Sequence, residues 1–137
     1  MLFPTLSTAQ SGLTVFRTWM DAVSDNIANM DDAAPTSGPA YQARFVLASP
    51  VGTGTTASAG DPAGAAVSGI ALGDPTGRLV SDPQNPLADA NGMVRYPDID
   101  LGDQMAQMMM AQRGYEANLS VIDRAKDAYQ QALSIGR

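Results

Sequence analysis

No cysteine and no histidine occur among the 137 residues. The first absence excludes disulfides and thiol chemistry and leaves the redox compartment open. The second removes the usual zinc ligand sets and every His-based catalytic triad by inventory. Lysine is almost missing as well. Lys126 stands beside seven arginines, and these eight basic groups face fourteen carboxylates, for a net charge of −6. No stretch gathers enough positive charge to neutralise a phosphate backbone, which argues against nucleic acid as a partner. No apolar run approaches the ~20 residues of a membrane span, so direct membrane insertion is not expected. Met1-Leu2-Phe3-Pro4 places no positive side chain ahead of an apolar core, and a cleavable secretory signal is not expected.

Proline and glycine are scarce at both ends. Between Gly102 and Gly136 there is no proline and one glycine, Gly114. Apolar residues fall at Leu101, Met105, Met108, Tyr115, Leu119, Ile122, Tyr129 and Leu133. These spacings of four, three and seven predict one stripe on a helix over Leu101 to Ile135. Gln112 and Lys126 interrupt the stripe, with Ala111 and Ala125 beside them. Such a helix is roughly 50 Å long. A compact domain of this chain length has a radius of gyration of about 14 Å. The stripe therefore needs a second long helix, and neighbouring molecules beyond it.

The N-terminal segment supplies that helix. Leu6, Ala9, Leu13, Phe16, Met20, Val23, Ile27 and Met30 alternate steps of three and four without a miss. Ser7 and Gln10 have capping-box spacing, which starts the helix there or a turn earlier at Pro4. It is expected to end near Asn29. Trp19 lies off the seam, where it either fills a pocket on a neighbour or shields the seam edge.

Between the ends the chemistry changes. Eight of nine prolines and nine of thirteen glycines lie between Asp31 and Pro97. Tyr41 to Leu47 alternates as a strand. Ser49 to Gly64 is small and polar and reads as a mobile linker. Ala66 to Leu72 and Arg78 to Val80 are expected as short strands around a turn at Gly73 to Gly77. Asn91-Gly92 marks a tight turn before a last strand, Met93 to Tyr96. Asp98 or Asp100 then caps the long helix.

Candidate chemistry fails on inspection. Asp98, Asp100 and Asp103 suit the amides and dipole of a helix start, but Gly102 stands where a calcium loop needs an oxygen ligand. Gly52-Thr53-Gly54 has no lysine or strand-to-helix setting for a phosphate loop. No usual general base accompanies the many hydroxyls. The four methionines between Met105 and Met110 suit adaptable packing better than a metal. No enzyme activity and no cofactor are expected.

Two stretches carry a family likeness. Ser24-Asp25-Asn26-Ile27-Ala28-Asn29 resembles the Asn-(Leu/Ile)-Ala-Asn signature that ends the N-terminal helix of bacterial flagellar rod and hook proteins. Asn85-Pro86-Leu87-Ala88-Asp89-Ala90-Asn91-Gly92, Pro97 to Asp100, Met105, Arg113 to Asn118 and Leu133 to Gly136 resemble the proximal-rod members of that group. The likeness covers both ends, roughly half the chain. Gly114 departs from it, standing where alanine is common at a helix cost of about 1 kcal/mol. Val15-Phe16 replaces a more polar pair, and Met30 a small residue.

The resemblance implies a structural subunit of the flagellar basal body, exported through the flagellar type III apparatus into a periplasmic rod that carries torque from motor to hook. It implies FlgB, FlgF, FlgG, FliE and further copies of this chain as partners. The expected architecture is mainly α. Residues 1–30 and 100–137 form an antiparallel coiled coil, and residues 31–99 a small irregular β region with a flexible linker at 49–64. The expected interface comprises Leu6, Leu13, Phe16, Met20, Val23, Ile27, Met105, Met108, Tyr115, Asn118, Leu119, Ile122, Tyr129 and Leu133. Tyr115 and Asn118 either anchor that interface or serve as plain core and solvated amide. A competing reading is a soluble helical adaptor or secretion chaperone.

Overall fold

The computed structural model describes residues 2–52 and 64–136. Two long helices occupy the ends. The first, α1, spans Leu2–Ala28, and the last, α2, spans Leu101–Ile135. α1 begins earlier than the Ser7 spacing suggested, since Pro4 is tolerated in a first turn where amides lack partners anyway. The hydroxyls of Ser11, Thr14 and Thr18 donate back to the carbonyls of Thr8, Gln10 and Thr14, which lets these residues sit inside the helix. At its end the Asn29 side-chain amide donates to the Asp25 carbonyl at 2.7 Å. α2 starts where expected. Asp100 is the N-cap, in extended conformation, and its carboxylate accepts from the Asp103 amide at 2.9 Å.

The helices pack side by side and run in opposite directions. Asn26 reaches Gln104, Trp19 reaches Gln107, Phe16 lies over Gly114, and Gly12 lies under Asn118. Partner numbers fall on one helix as they rise on the other. Gly12 is ten residues from the start of α1, and ten residues beyond Asn118 is position 128. The last two turns of α2 therefore run past α1, and every residue from 126 to 136 is exposed.

The middle forms two separate antiparallel ribbons. β1 (Arg44–Val51) pairs with β2 (Gly64–Leu72), with Arg44 opposite Leu72 and Val51 opposite Gly64. An irregularity after Leu47 shifts the register by one. This corrects the sequence reading in two places. The strand does not begin at Tyr41, because Gly73 and Ala43 close the sheet end by a single amide-to-carbonyl bond. Nor does the linker span 49–64, since Ser49 to Val51 and Gly64 lie in strands. Its remainder, 53–63, lies outside the described residues. Pro50 is accommodated because the Ala65 opposite it points its amide away, to Ser11 Oγ at 3.1 Å. That bond also fastens the ribbon to α1.

β3 (Arg78–Ser81) pairs with β4 (Met93–Tyr96), and Ala34 adds a bridge to Arg95. The Arg95 guanidinium donates to the carbonyls of Thr36 and Thr76, clamping two loops onto β4. Gly77 has φ +56, and a Cβ there would lie 2.7 Å from that of Ala40, so only glycine fits this turn. Among the described residues of this region, Val94, Pro97, Ile99, Ala40 and Ala43 are buried. They are few and mostly small, so the middle depends on α1 and α2 for support.

Amides in residues 126–135 are expected to exchange with solvent far faster than those in 104–118, since no second helix covers the former. Hydrogen exchange resolved by peptide checks this. Equal protection along α2 would contradict the overhang.

Candidate assembly interface

The Asn26 carboxamide joins the three parts of the chain. It is fully buried. Its Oδ1 accepts from the Arg44 amide at 2.7 Å and from the Tyr41 hydroxyl at 3.3 Å. Its Nδ2 donates to the Arg44 carbonyl and to Gln104 Oε1, each at 3.0 Å. Asn26 thus pairs with both backbone groups of Arg44, as a neighbouring strand would, while holding α2 through buried Gln104. Arg44 and Asp25 add an exposed ion pair at 2.6 Å. Burial raises the Tyr41 phenol above its ordinary value, and it stays a neutral donor.

The predicted residues of α1 all lie on the covered side. Val23 is buried, and Leu6, Leu13, Phe16, Met20 and Ile27 are partly buried. Those of α2 divide. Met108, Tyr115, Asn118 and Ile122 are partly buried, whereas Met105, Leu119, Tyr129 and Leu133 are exposed. The single stripe read from the sequence is two columns. Beside Met108, Tyr115 and Ile122, the positions turned toward α1 are Gln104, Ala111 and Asn118, each one residue before the expected Met105, Gln112 and Leu119. Ala111 is 0% exposed, while Met105 is 54% and Leu119 43% exposed. Helices that approach closely need small side chains between them, and Ala111, Gly12 and Gly114 supply these. Tyr129 and Leu133 lie where α1 has ended.

Leu101, Met105, Met109 and Leu119 consequently form an outward apolar band on one side of α2. The β1–β2 ribbon also exposes Phe45 and Leu47 on one face, and Ile70 and Leu72 on the other. Single exposed apolar residues are ordinary, but bands along an element mark docking surfaces. Trp19 shields the helix pair. It stacks with Phe16 at 6.2 Å, and its indole N–H donates to Gln107 at 3.3 Å.

Asn26, Gln104, Gly12 and Ala111 were absent from the predicted set. The signal for Gly12 and Gly114 was available: a lone glycine within a strong helix asks for a close neighbour. Gln104 and Ala111 carry too little hydrophobicity to register in a periodicity.

The Asn85-to-Gly92 segment folds on its own polar groups. Asn85 Oδ1 accepts from the Leu87 amide at 3.0 Å. Asp89 accepts from the Asn91 and Met93 amides at 2.8 and 3.0 Å, and from the Thr36 hydroxyl at 3.1 Å. These side chains do the work of a strand partner where two prolines cannot. Hydrogen bonds from Met93 and Asn91 hold the Asp89 carboxyl below its usual range. Asp74 is held low in the same way by Thr76. Neither has the raised pKa of a general acid.

Two family models match this chain, one at each end. A family model described as flagella basal body rod protein matches residues 6–32. Another, described as flagellar basal body rod FlgEFG protein C-terminal, matches residues 90–135. The flagellar basal-body rod protein FlgC of Bacillus subtilis is 33% identical over 147 aligned positions, covering 98% of both chains. Its counterpart from Escherichia coli O157:H7 is 32% identical over 129, covering 94% of this chain and 93% of that one. The FlgC of Agrobacterium fabrum is 36% identical over 135, covering 93% and 89%. This chain belongs to the FlgC family of flagellar basal-body rod proteins. The relatives are named as flagellar basal-body rod proteins, and the basal body is the location the family implies. Two departures from the rod pattern, Phe16 and Gly114, touch each other here.

Asn26→Ala strands the Arg44 amide and Gln104 Oε1 in the interior and is expected to cost about 3 kcal/mol of stability. Denaturant titration measures it, and a loss within error of zero would remove Asn26 from its central place. For Asp89, a depressed folded pKa stabilises the fold above the unfolded value and ceases to do so as pH falls through the folded one. The stability of the wild-type chain is therefore expected to drop below about pH 4, and that of Asp89→Asn to drop less. Unfolding titrations from pH 6 to pH 3 compare the two.

Proposed function

We propose that this chain is a subunit of the proximal rod, building a tubular drive shaft from its terminal helices without any enzymatic step. The observation that supports this reading is the outward band of Leu101, Met105, Met109 and Leu119, together with Tyr129 and Leu133, which the overhang of α2 leaves uncovered. The paired helices act as a short antiparallel coiled coil. Such coils stand side by side, near parallel to the rod axis, and each buries its outward band against the next. Each large apolar side chain covered contributes about 1.5–3 kcal/mol, and many act together in one subunit. The contacts are heterologous, so they propagate a helical tube and do not close as a dimer. Torque then passes through stiff packing alone. Copies of this chain, FlgB, FlgF, FlgG and FliE are the neighbours the family relationship supports, reached through the flagellar type III apparatus and assembled in the periplasm.

Leu119→Asp is the test. Leu119 is exposed in the single chain, so the variant is expected to keep its helix content by circular dichroism yet abolish swimming and rod assembly. Leu13→Asp, at the partly covered α1 seam, is expected to lower both. Normal swimming halos for Leu119→Asp would exclude the band as an assembly surface. A stable closed dimer of the purified chain in light scattering would favour the adaptor reading over the rod.

A further inference from the structure

Hydrophobic burial by itself does not fix how α2 is rotated on α1. Turning α2 by about 100°, one residue's worth, would replace Gln104, Ala111 and Asn118 at the helix contact with Met105, Gln112 and Leu119, and Met108, Tyr115 and Ile122 with Met109, Glu116 and Asp123. Large apolar residues exchange three for three. The observed rotation therefore rests on keeping Glu116 and Asp123 out of the contact and on how closely the two helices fit.

Two contacts in the middle of the pair are reciprocal. Phe16 of α1 lies over Gly114 of α2, and a Cβ on Gly114 would come within 2.5 Å of Phe16 Cζ. Asn118 of α2 lies over Gly12 of α1, and a Cβ on Gly12 would come within 2.7 Å of Asn118 Oδ1. On each helix the bulky residue and the glycine are one turn apart, and the antiparallel direction brings each bulk onto the other's gap. We propose that these two pairs form a latch that sets both the rotation and the axial register of α2, and so decides which apolar column faces outward.

Alternative registers fail on the same residues. A one-turn slip in one direction sets Phe16 against Met110 and leaves Gly12 facing Gly114, with a clash and a void. The opposite slip sets Phe16 against Asn118 and Gly12 against Ile122, leaving the ring no gap. The Asn118 amide is steadied by donating to the Gly114 carbonyl at 2.9 Å, which ties the two halves of the latch together. Phe16 is held from its other side by Trp19. The latch concerns the helix pair alone and stands whatever the assembly built from it.

The sign of one substitution tests it. By intrinsic propensity, alanine is a better helix former than glycine, so Gly114→Ala should stabilise α2 if no latch exists. With the latch, Gly114→Ala in the full chain lowers the thermal midpoint by several degrees. In a Phe16→Ala background the same substitution raises it. A rise in both backgrounds, or a fall in both, overturns the latch. Rotation has its own readout, because the native chain has no thiol. Met105→Cys is expected to react with a soluble maleimide on the order of tenfold faster than Ala111→Cys. Adding Gly114→Ala narrows that ratio. An unchanged ratio shows that Phe16 and Gly114 do not set the rotation of α2.

Discussion

A single buried carboxamide is the point on which the parts of this chain depend. Asn26 sits near the end of α1, yet its hydrogen bonds go to β1 and to α2. An amide is suited to this place because it both donates and accepts in one plane, and so can stand in for the edge of a strand. An aspartate would offer no donor to the Arg44 carbonyl, and a leucine no partner at all. With Asn26 in place, the first ribbon is oriented against α1, and the start of α2 is pinned beside the end of α1. The rest of the helix pairing proceeds from that corner.

From the corner outward, packing is governed by small residues as much as by large ones. Gly12, Ala111 and Gly114 let the two helices come close, and Phe16, Asn118 and Trp19 fill the spaces that closeness leaves. The consequence is an apparent waste. Leu101, Met105, Met109 and Leu119 remain in water, although a different rotation would have covered several of them. A protein selected to be a self-contained monomer has no use for such a band. In the assembly proposed above, neighbouring rod subunits would cover it.

Much of the architecture could be read without coordinates. Both helices, the last strand at Met93 to Tyr96, the turn at Gly73 to Gly77 and the Asp100 cap follow from periodicity and turn chemistry, because each depends on local sequence. The errors came where contacts between distant segments decide. β1 is displaced from Tyr41–Leu47 to Arg44–Val51 because its partner, Gly64–Leu72, and the serine at position 11 set where pairing begins and ends. The α2 stripe was merged from two columns because periodicity weighs hydrophobicity, and the residues that touch α1 include a glutamine, an asparagine and an alanine.

The sequence by itself determined the two helices, their apolar character and the absence of His- or thiol-based chemistry, since propensity, spacing and inventory are properties of the chain alone. It also carried the turn motifs, whose side chains bond to their own neighbours. Only the tertiary structure decided which side of α2 meets α1, and hence which apolar residues are left in water. That choice rests on steric fit between residues about a hundred positions apart, where a missing Cβ matters more than a methionine, and no local pattern records a gap until the side chain that fills it is known.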